Sequence, residues 1–166
     1  MLVTESWFYE GWGLSHGMGV LLHRRLNWSK HCEAMRSKAL QSLGSLIPLL
    51  KSRLPLKSKL LLYKAYIRPQ MTYASPAWAF ISKKNAIRLQ VVQNRALRII
   101  GGYDRYTRID KMHFDHKIPK LKSYIKCFAL KMYAKAKFSK NRYVRKLGTV
   151  YLVIDPRVPK PLHILR

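Results

Sequence analysis

Apolar residues recur at helical spacing along most of the chain, which predicts a succession of amphipathic helices. The first helix is expected from about Ser29 to Ile47, where Pro48 would end it. Its inward face would carry the apolar residues Cys32, Met35, Ala39, Leu43, Leu46 and Ile47. Because such a face must be buried, other helices are expected to pack against this one.

The stretch from Leu60 to Arg98 contains two further helical patterns, joined by a segment rich in proline and aromatic residues. Pro69 falls late in the first pattern, where it is expected to kink the helix or to start its last turns. Ser82 is a good N-cap for the second pattern, and the Gly101-Gly102 pair favours its end. The apolar stripe of this second helix would comprise Ile87, Val91, Val92, Ala96, Ile99 and Ile100.

The aromatic residues of this stretch, Tyr63, Tyr66, Tyr73 and Trp78, could stack on nucleobases or fill the core. Aromatic residues at helical spacing belong more often to the core. Tyr66, Tyr73 and Trp78 fall beside the apolar stripe and the proline-aromatic segment that joins the two helical patterns, so we expect these three to be buried. Asn94 lies on the border of the stripe of the second helix and is interpreted as structural.

A short helix through Met112 or His113 and a last helix from about Lys120 to Ser139 complete the pattern, and a β-type run from Gly19 to His23 precedes it. The predicted fold is therefore mainly α. It is a bundle of four to five amphipathic helices with a short β-strand near the N-terminus and an irregular basic C-terminal tail.

The chain is strongly basic. Its 166 residues include 33 lysines and arginines but only seven acidic residues, which gives a formal net charge of +26. Such a charge opposes compaction unless a polyanion neutralises it, so nucleic acid is the expected partner; the alternative is a solvated basic surface without a specific ligand. The candidate phosphate-binding residues are the cations of the central stretch and of the loop before it: Lys51, Arg53, Lys57, Lys59, Lys64, Arg68, Lys83, Lys84, Arg88, Arg95 and Arg98.

Several segments resemble a known family in their order and spacing. LLLYKAYIRPQMTYASPAW and RLQVVQNRALRII are similar to the region just beyond the catalytic palm in reverse transcriptases of non-LTR retrotransposons, the jockey-like insect group in particular. GVLLHRRLNWSKH upstream and HFDHKIPKLKSYI downstream resemble the neighbouring segments. The resemblance covers residues 17–147 and implies a helical thumb domain, which grips the primer-template duplex. Residues 1–16 remain unassigned, and residues 148–166 indicate a strand followed by a proline-rich tail.

Catalysis is not expected from this chain alone. Polymerases join nucleotides with two metal ions held by palm aspartates, in this family partly on an F/Y-x-D-D hairpin, and no two acidic residues are adjacent here. His113, Asp115 and His116 are metal-capable, but they lack the HExxH spacing, so a solvated or phosphate-facing cluster is favoured over a metal site. We therefore expect no cofactor, no metal and no small-molecule substrate.

The sequence thus predicts a thumb-like fragment of a reverse transcriptase, which binds primer-template duplex or structured RNA through phosphates and without sequence preference. The fingers and palm of the parent enzyme would be its missing partner. An intracellular location, in nucleus or cytoplasm, is expected, because no signal peptide or transmembrane segment is predicted. Two alternatives remain open: a basic amphipathic protein on anionic membranes, and a degenerate transposon remnant without activity.

Overall fold

The computed structural model describes residues 14–17, 20–23, 28–79 and 81–146. Two short strands, β1 (Leu14–Gly17) and β2 (Val20–His23), pair antiparallel, with Leu14 opposite His23. Strand β2 is the strand that the sequence predicts. The strand and proline-rich tail predicted for residues 148–166 lie outside the described residues, as does most of the unassigned N-terminal segment.

Seven α-helices follow in the described part of the chain, which confirms the mainly α class. They are α1 (Ser29–Lys51), α2 (Leu56–Leu62), α3 (Arg68–Thr72), α4 (Ser75–Trp78), α5 (Lys83–Gly101), α6 (Ile109–Asp115) and α7 (Leu121–Ala136). A π-helical turn, Tyr63–Ile67, joins α2 to α3, and a further helical turn covers residues 142–146. Within the described residues, no helix is both long and apolar enough to cross a lipid bilayer.

Helix α1 runs through Pro48 to Lys51, so the predicted break at the proline is wrong. Pro48 lies in the last turn, where it removes one backbone hydrogen bond at a position already close to the helix end. Leu50, two residues later, is fully buried. Its burial, which is worth about 1.5–3 kcal/mol, favours continuing the helix past the proline. Ser52 then closes the helix, because its hydroxyl donates a hydrogen bond of 2.6 Å to the Leu49 carbonyl.

Pro69 has a visible effect on the backbone just before it. In the π-helical turn the Arg68 N–H donates to the Tyr63 carbonyl, five residues back instead of four. Proline has no N–H to donate, and its ring crowds the carbonyl four residues earlier, which a wider turn relieves. Pro69 therefore stands in the first turn of α3, one of the two outcomes expected from the sequence.

The main core lies where α1 meets the π-helical turn, α3 and α5. Trp78 is buried there as expected, and its indole N–H donates a 2.8 Å hydrogen bond to the Tyr73 carbonyl. Tyr66 and Tyr73 are exposed by 59% and 49%, so the prediction that they are core residues is wrong. The core instead takes Tyr63, which is fully buried. The helical spacing of Tyr66 and Tyr73 was compatible with burial, but the neighbouring helices cover the side of this segment that carries Tyr63.

Helix α5 begins and ends where the sequence predicts. The Ser82 hydroxyl accepts a hydrogen bond from the Asn85 N–H, and Gly102 adopts the left-handed conformation with φ of 63°. Two residues of the predicted apolar stripe, Ile87 and Val91, are more than half exposed. The buried face is rotated away from them and consists of Asn85, Leu89, Val92, Gln93, Asn94, Ala96, Leu97 and Ile100.

Polar side chains where α5 meets α6 form what we call the glutamine cluster: Gln90, Gln93 and Asn94 on α5, and His113 on α6. The Gln90 amide nitrogen donates to Gln93 Oε1 at 2.7 Å and to Asn94 Oδ1 at 2.8 Å. Gln90 Oε1 accepts the backbone N–H of Leu121 at 2.8 Å, and so caps the first turn of α7. The cluster thus fixes the start of α7 against α5.

Two further bonds extend the cluster beyond these helices. Gln93 Nε2 donates to the Tyr63 hydroxyl at 2.9 Å, which ties the π-helical turn to α5. His113 Nδ1 lies 2.8 Å from the Ile118 carbonyl, and its Nε2 lies 3.1 Å from Asn94 Oδ1. The structural role expected for Asn94 is confirmed by these contacts. Four segments of the chain therefore meet at one set of hydrogen bonds.

Glycine at position 101 is required by close packing at the end of α5. A Cβ atom built there would overlap Cε2 of Tyr103 and would lie 2.8 Å from Nε2 of His116. The rings of Tyr103 and His116 pack edge to face, with centroids 5.4 Å apart. The same addition at Gly44, inside α1, meets nothing within 4 Å.

We predict that Gly101→Ala lowers the free energy of unfolding by about 1–3 kcal/mol, because the new methyl group must displace two packed rings. Gly44→Ala is the matched control and should raise that free energy by about 0.5–1 kcal/mol, since alanine is favoured inside a helix. Urea denaturation followed by circular dichroism measures both. Equal effects of the two substitutions would contradict this account of the packing.

Two buried histidines, His31 and His116, have lowered pKa values. His31 is fully buried and accepts a hydrogen bond from the Leu21 N–H at Nδ1, and burial followed by the charge of Lys38 lowers its pKa. Burial is also the main cause that lowers the pKa of His116, and it outweighs the opposing carboxylate of Asp115. Both rings are therefore held in the neutral form more strongly in the folded chain than in the unfolded one.

The melting temperature should fall as the pH is lowered from about 7.5 to about 5, because both histidines have an ordinary pKa of about 6.5 in the unfolded state, which then binds more protons than the folded state. Their contribution is complete above that pH and is lost as the pH falls toward the folded pKa values. His116→Gln removes one of the two groups, so this variant should show a smaller decrease. An unchanged decrease would exclude His116 as a source of the pH dependence.

Candidate nucleic-acid interface

Helix α5 presents four cations on one face, which we call the α5 stripe: Lys84, Arg88, Arg95 and Arg98. Steps of four, seven and three residues return to the same side of an α-helix. Lys84 and Arg95 are exposed, and the other two are half-buried. From residue 84 to residue 98 the stripe is about 21 Å long at 1.5 Å per residue. That length matches about six phosphates along one strand of a duplex.

A basic pocket lies at the C-terminal end of this stripe. It is an open cavity of about 710 Å³ that receives Lys51 from α1, Lys59 from α2 and Arg98 from α5. Its other lining residues are Leu50, Ile99, Ile100, Gly101, Gly102 and Tyr103. Three cations around one concave surface favour an anion with several oxygen atoms, such as a phosphate. The pocket thus extends the α5 stripe onto two other helices.

Arg98 has donor capacity to spare in this pocket. Its Nε atom is buried and has no hydrogen-bond partner among the described residues. One guanidinium nitrogen, Nη2, lies 3.5 Å from the Thr107 carbonyl, which is a long contact. The buried Nε is not accessible to a ligand, so a phosphate at this place would bind the Nη donors of Arg98 and would compete there with this long contact.

The remaining predicted cations are distributed differently. Arg53, Lys57, Lys64 and Lys83 are exposed on the loop before α2, on α2, on the π-helical turn and at the start of α5. Two of the predicted arginines have protein partners. The guanidinium of Arg68 lies 4.4 Å from the ring centroid of Tyr124, and Arg88 Nη1 lies 3.7 Å from Glu33 Oε2. The structure thus brings Lys51, Lys59 and Arg98 together, and aligns Lys84, Arg88, Arg95 and Arg98.

The acidic side chains of the described residues leave most of this surface uncompensated. Asp110 accepts Lys120 Nζ at 2.7 Å, and this bond is the main cause that lowers the pKa of Asp110. Asp115 accepts the Tyr103 hydroxyl at 2.7 Å. Among the described residues, Glu33 is the one acid paired to the α5 stripe, and it also binds Arg36 at 2.9 Å. Positive charge therefore dominates the outer face of α5.

The predicted cluster of His113, Asp115 and His116 is not a solvated group, because both histidines are buried. His113 faces the glutamine cluster and His116 packs under Tyr103, while Asp115 is exposed. In the described part of the chain, no set of three or more histidine, cysteine, aspartate or glutamate side chains could hold a metal ion.

Tyr103 lines the basic pocket but is not among the residues that the sequence predicts for the interface. Its hydroxyl donates to Asp115; burial and then this bond raise the pKa of Tyr103. A tyrosine two residues after a helix-ending glycine gave no signal of its own. The alignment of the α5 stripe, in contrast, can be read from spacing once the helix is assigned.

Three curated proteins of Drosophila melanogaster are similar to this chain. The RNA-directed DNA polymerase from mobile element jockey is 29% identical over 145 residues, which are 84% of this chain and 16% of that protein. The probable RNA-directed DNA polymerase from transposon X-element is 34% identical over 103 residues, or 61% of this chain and 11% of that protein. The probable RNA-directed DNA polymerase from transposon BS is 33% identical over 100 residues, or 59% and 11%.

The similarity to jockey-like RNA-directed DNA polymerases that the sequence predicts is therefore confirmed. The chain spans 16% or less of the length of these relatives. No family model and no solved structure matches the chain.

Proposed function

We propose that this chain is the thumb-like part of a reverse transcriptase, which holds a primer-template duplex through contacts with its phosphates. The α5 stripe and the basic pocket at its end carry the proposal, because they align cations over a length that suits a nucleic-acid strand. The similarity to RNA-directed DNA polymerases supports a duplex of RNA and DNA as the natural ligand. On this proposal residues 17–147 form the thumb-like domain.

Binding of this kind positions a duplex and does not read its sequence. Lysine and arginine contacts to phosphates carry no base information, so affinity should vary little with sequence. Arg88, Arg95 and Arg98 can make forked contacts, whereas Lys84 acts as a mobile point charge. Engagement of six to eight phosphates would make the slope of log K against log salt about −5 to −7.

On this proposal, nucleotide transfer belongs to the fingers and palm of the parent enzyme. The acidic residues of the described part lie on α1, on α6 and in the loop before α6, and each of Glu33, Asp110 and Asp115 binds a neighbouring side chain. Fingers and palm would supply the paired aspartates that hold two metal ions. Purified chain should therefore incorporate no labelled nucleotide on a primed RNA template, and incorporation would contradict this part of the proposal.

The decisive measurement is the affinity of the full chain for an RNA-DNA hybrid, a DNA duplex and single strands across a salt series. The double variant Arg95→Gln and Arg98→Gln should weaken hybrid binding and make the slope shallower by about 2, because each phosphate contact contributes about 0.9. Tighter binding to the hybrid than to the DNA duplex supports a thumb that recognises primer-template.

The matched control is Lys30→Gln with Lys38→Gln, which removes the same charge from exposed positions of α1 outside the stripe and the pocket. If both double variants change the slope equally, the surface attracts anions by net charge alone and the proposed interface is wrong. Anionic vesicles provide a second comparison. If vesicles displace the hybrid from the chain, and if the α5 substitutions do not change the affinity for vesicles, the membrane alternative is favoured.

A further inference from the structure

A second surface, on α3 and α7, has a different chemistry. The guanidinium of Arg68 lies over the ring of Tyr124, 4.4 Å from its centroid. The rings of Tyr124 and Phe128 are stacked, with an interplanar angle of 5° and centroids 6.3 Å apart. We call Arg68, Tyr124 and Phe128 the aromatic ladder. Phe128 stands at its outer end and is 45% exposed, so part of the ring can receive another planar group.

Cations continue this ladder along the same face of α7. Lys131 and Lys135 follow Phe128 by three and seven residues, which places them on the side of the helix that carries Tyr124 and Phe128. Both lysines are exposed, and α7 contains no acidic residue. A flat exposed ring bordered by cations is complementary to a ligand that is both planar and anionic.

We propose that this surface binds single-stranded nucleic acid, with one base stacked on Phe128 and the adjoining phosphates bound by Lys131 and Lys135. Every nucleobase has a π-face, and aromatic residues combined with cations are the usual platform for unpaired strands. In a duplex the base faces are covered by neighbouring base pairs, so the ladder favours an unpaired strand. The surface shares no residue with the α5 stripe or the basic pocket, and it extends the proposed duplex binding with a second activity.

The role of the ladder in this proposal is to hold the platform in place. Stacking between Tyr124 and Phe128 restricts the side chain of Phe128, and Arg68 over Tyr124 stabilises that ring in turn. An ordered ring loses less conformational freedom on binding than a mobile one. The ladder therefore makes Phe128 a better platform than another exposed phenylalanine of the chain, such as Phe114.

Phe128→Leu tests this directly, because leucine preserves apolar area but removes the flat ring. Affinity of the full chain for a short oligothymidine should fall by about 5- to 150-fold, the loss measured when a stacked aromatic is removed. Phe114→Leu is the matched control, since Phe114 is 83% exposed and lies on α6. This substitution should leave the affinity for the oligothymidine unchanged. Phe128→Trp should bind the oligonucleotide at least as tightly as the original chain.

Two additional measurements separate stacking from other effects. An oligonucleotide containing 2-aminopurine should lose fluorescence on binding to the original chain and much less on binding to the Phe128→Leu variant. Affinity for a blunt DNA duplex should be unchanged by Phe128→Leu, whatever the outcome for the α5 stripe. Three results would overturn the proposal. Phe128→Leu could lower the affinity for the duplex as much as that for the single strand, or Phe114→Leu could lower the affinity for the single strand equally. In the third result, Phe128→Leu would lower only the affinity for vesicles of anionic lipid.

Discussion

The fold depends on a set of hydrogen bonds among amide and imidazole side chains inside a highly charged protein. Gln90, Gln93, Asn94 and His113 bind one another and reach the π-helical turn, the segment after α6 and the first turn of α7. Each buried polar atom left without a partner costs about 1–3 kcal/mol, so these bonds select one arrangement of the helices over other helical packings. Because the cluster uses amides and an imidazole, no lysine or arginine has to be buried to satisfy it.

The exterior then has to carry the charge. Formal net charge is +26, and the few acidic residues of the described part bind mostly near α1 and α6. The cations that remain are spread along α5, around the basic pocket and on α7, where their mutual repulsion opposes the compact state. A polyanion along these surfaces would relieve that repulsion. If the proposed binding occurs, it would therefore also raise the free energy of unfolding.

Local chemistry made some features predictable and long-range packing decided the others. Both ends of α5 followed from Ser82 and Gly102, because capping and left-handed backbone depend on neighbouring residues only. The burial of Tyr63 in place of Tyr66, and the exposure of Ile87 and Val91, depend on which flank of each helix its neighbours cover. Periodicity predicts which side of a helix is buried, but the residues at either edge of that side can be buried or exposed. Glutamine and histidine in the interior gave no signal, since the sequence shows their type and not their partners.

The π-helical turn has a consequence for how the surface chemistry of α3 is encoded. One additional residue in a helical turn rotates everything beyond it by about 100° about the helix axis. Tyr63–Ile67 therefore sets the direction in which Arg68 leaves the helix, and with it the stacking of Arg68 on Tyr124. Loss of a single uncharged residue there, such as Ala65, would leave every cation in the chain and yet turn Arg68 away from the ring of Tyr124. The spacing of the backbone, as much as the choice of side chains, carries the information for this surface.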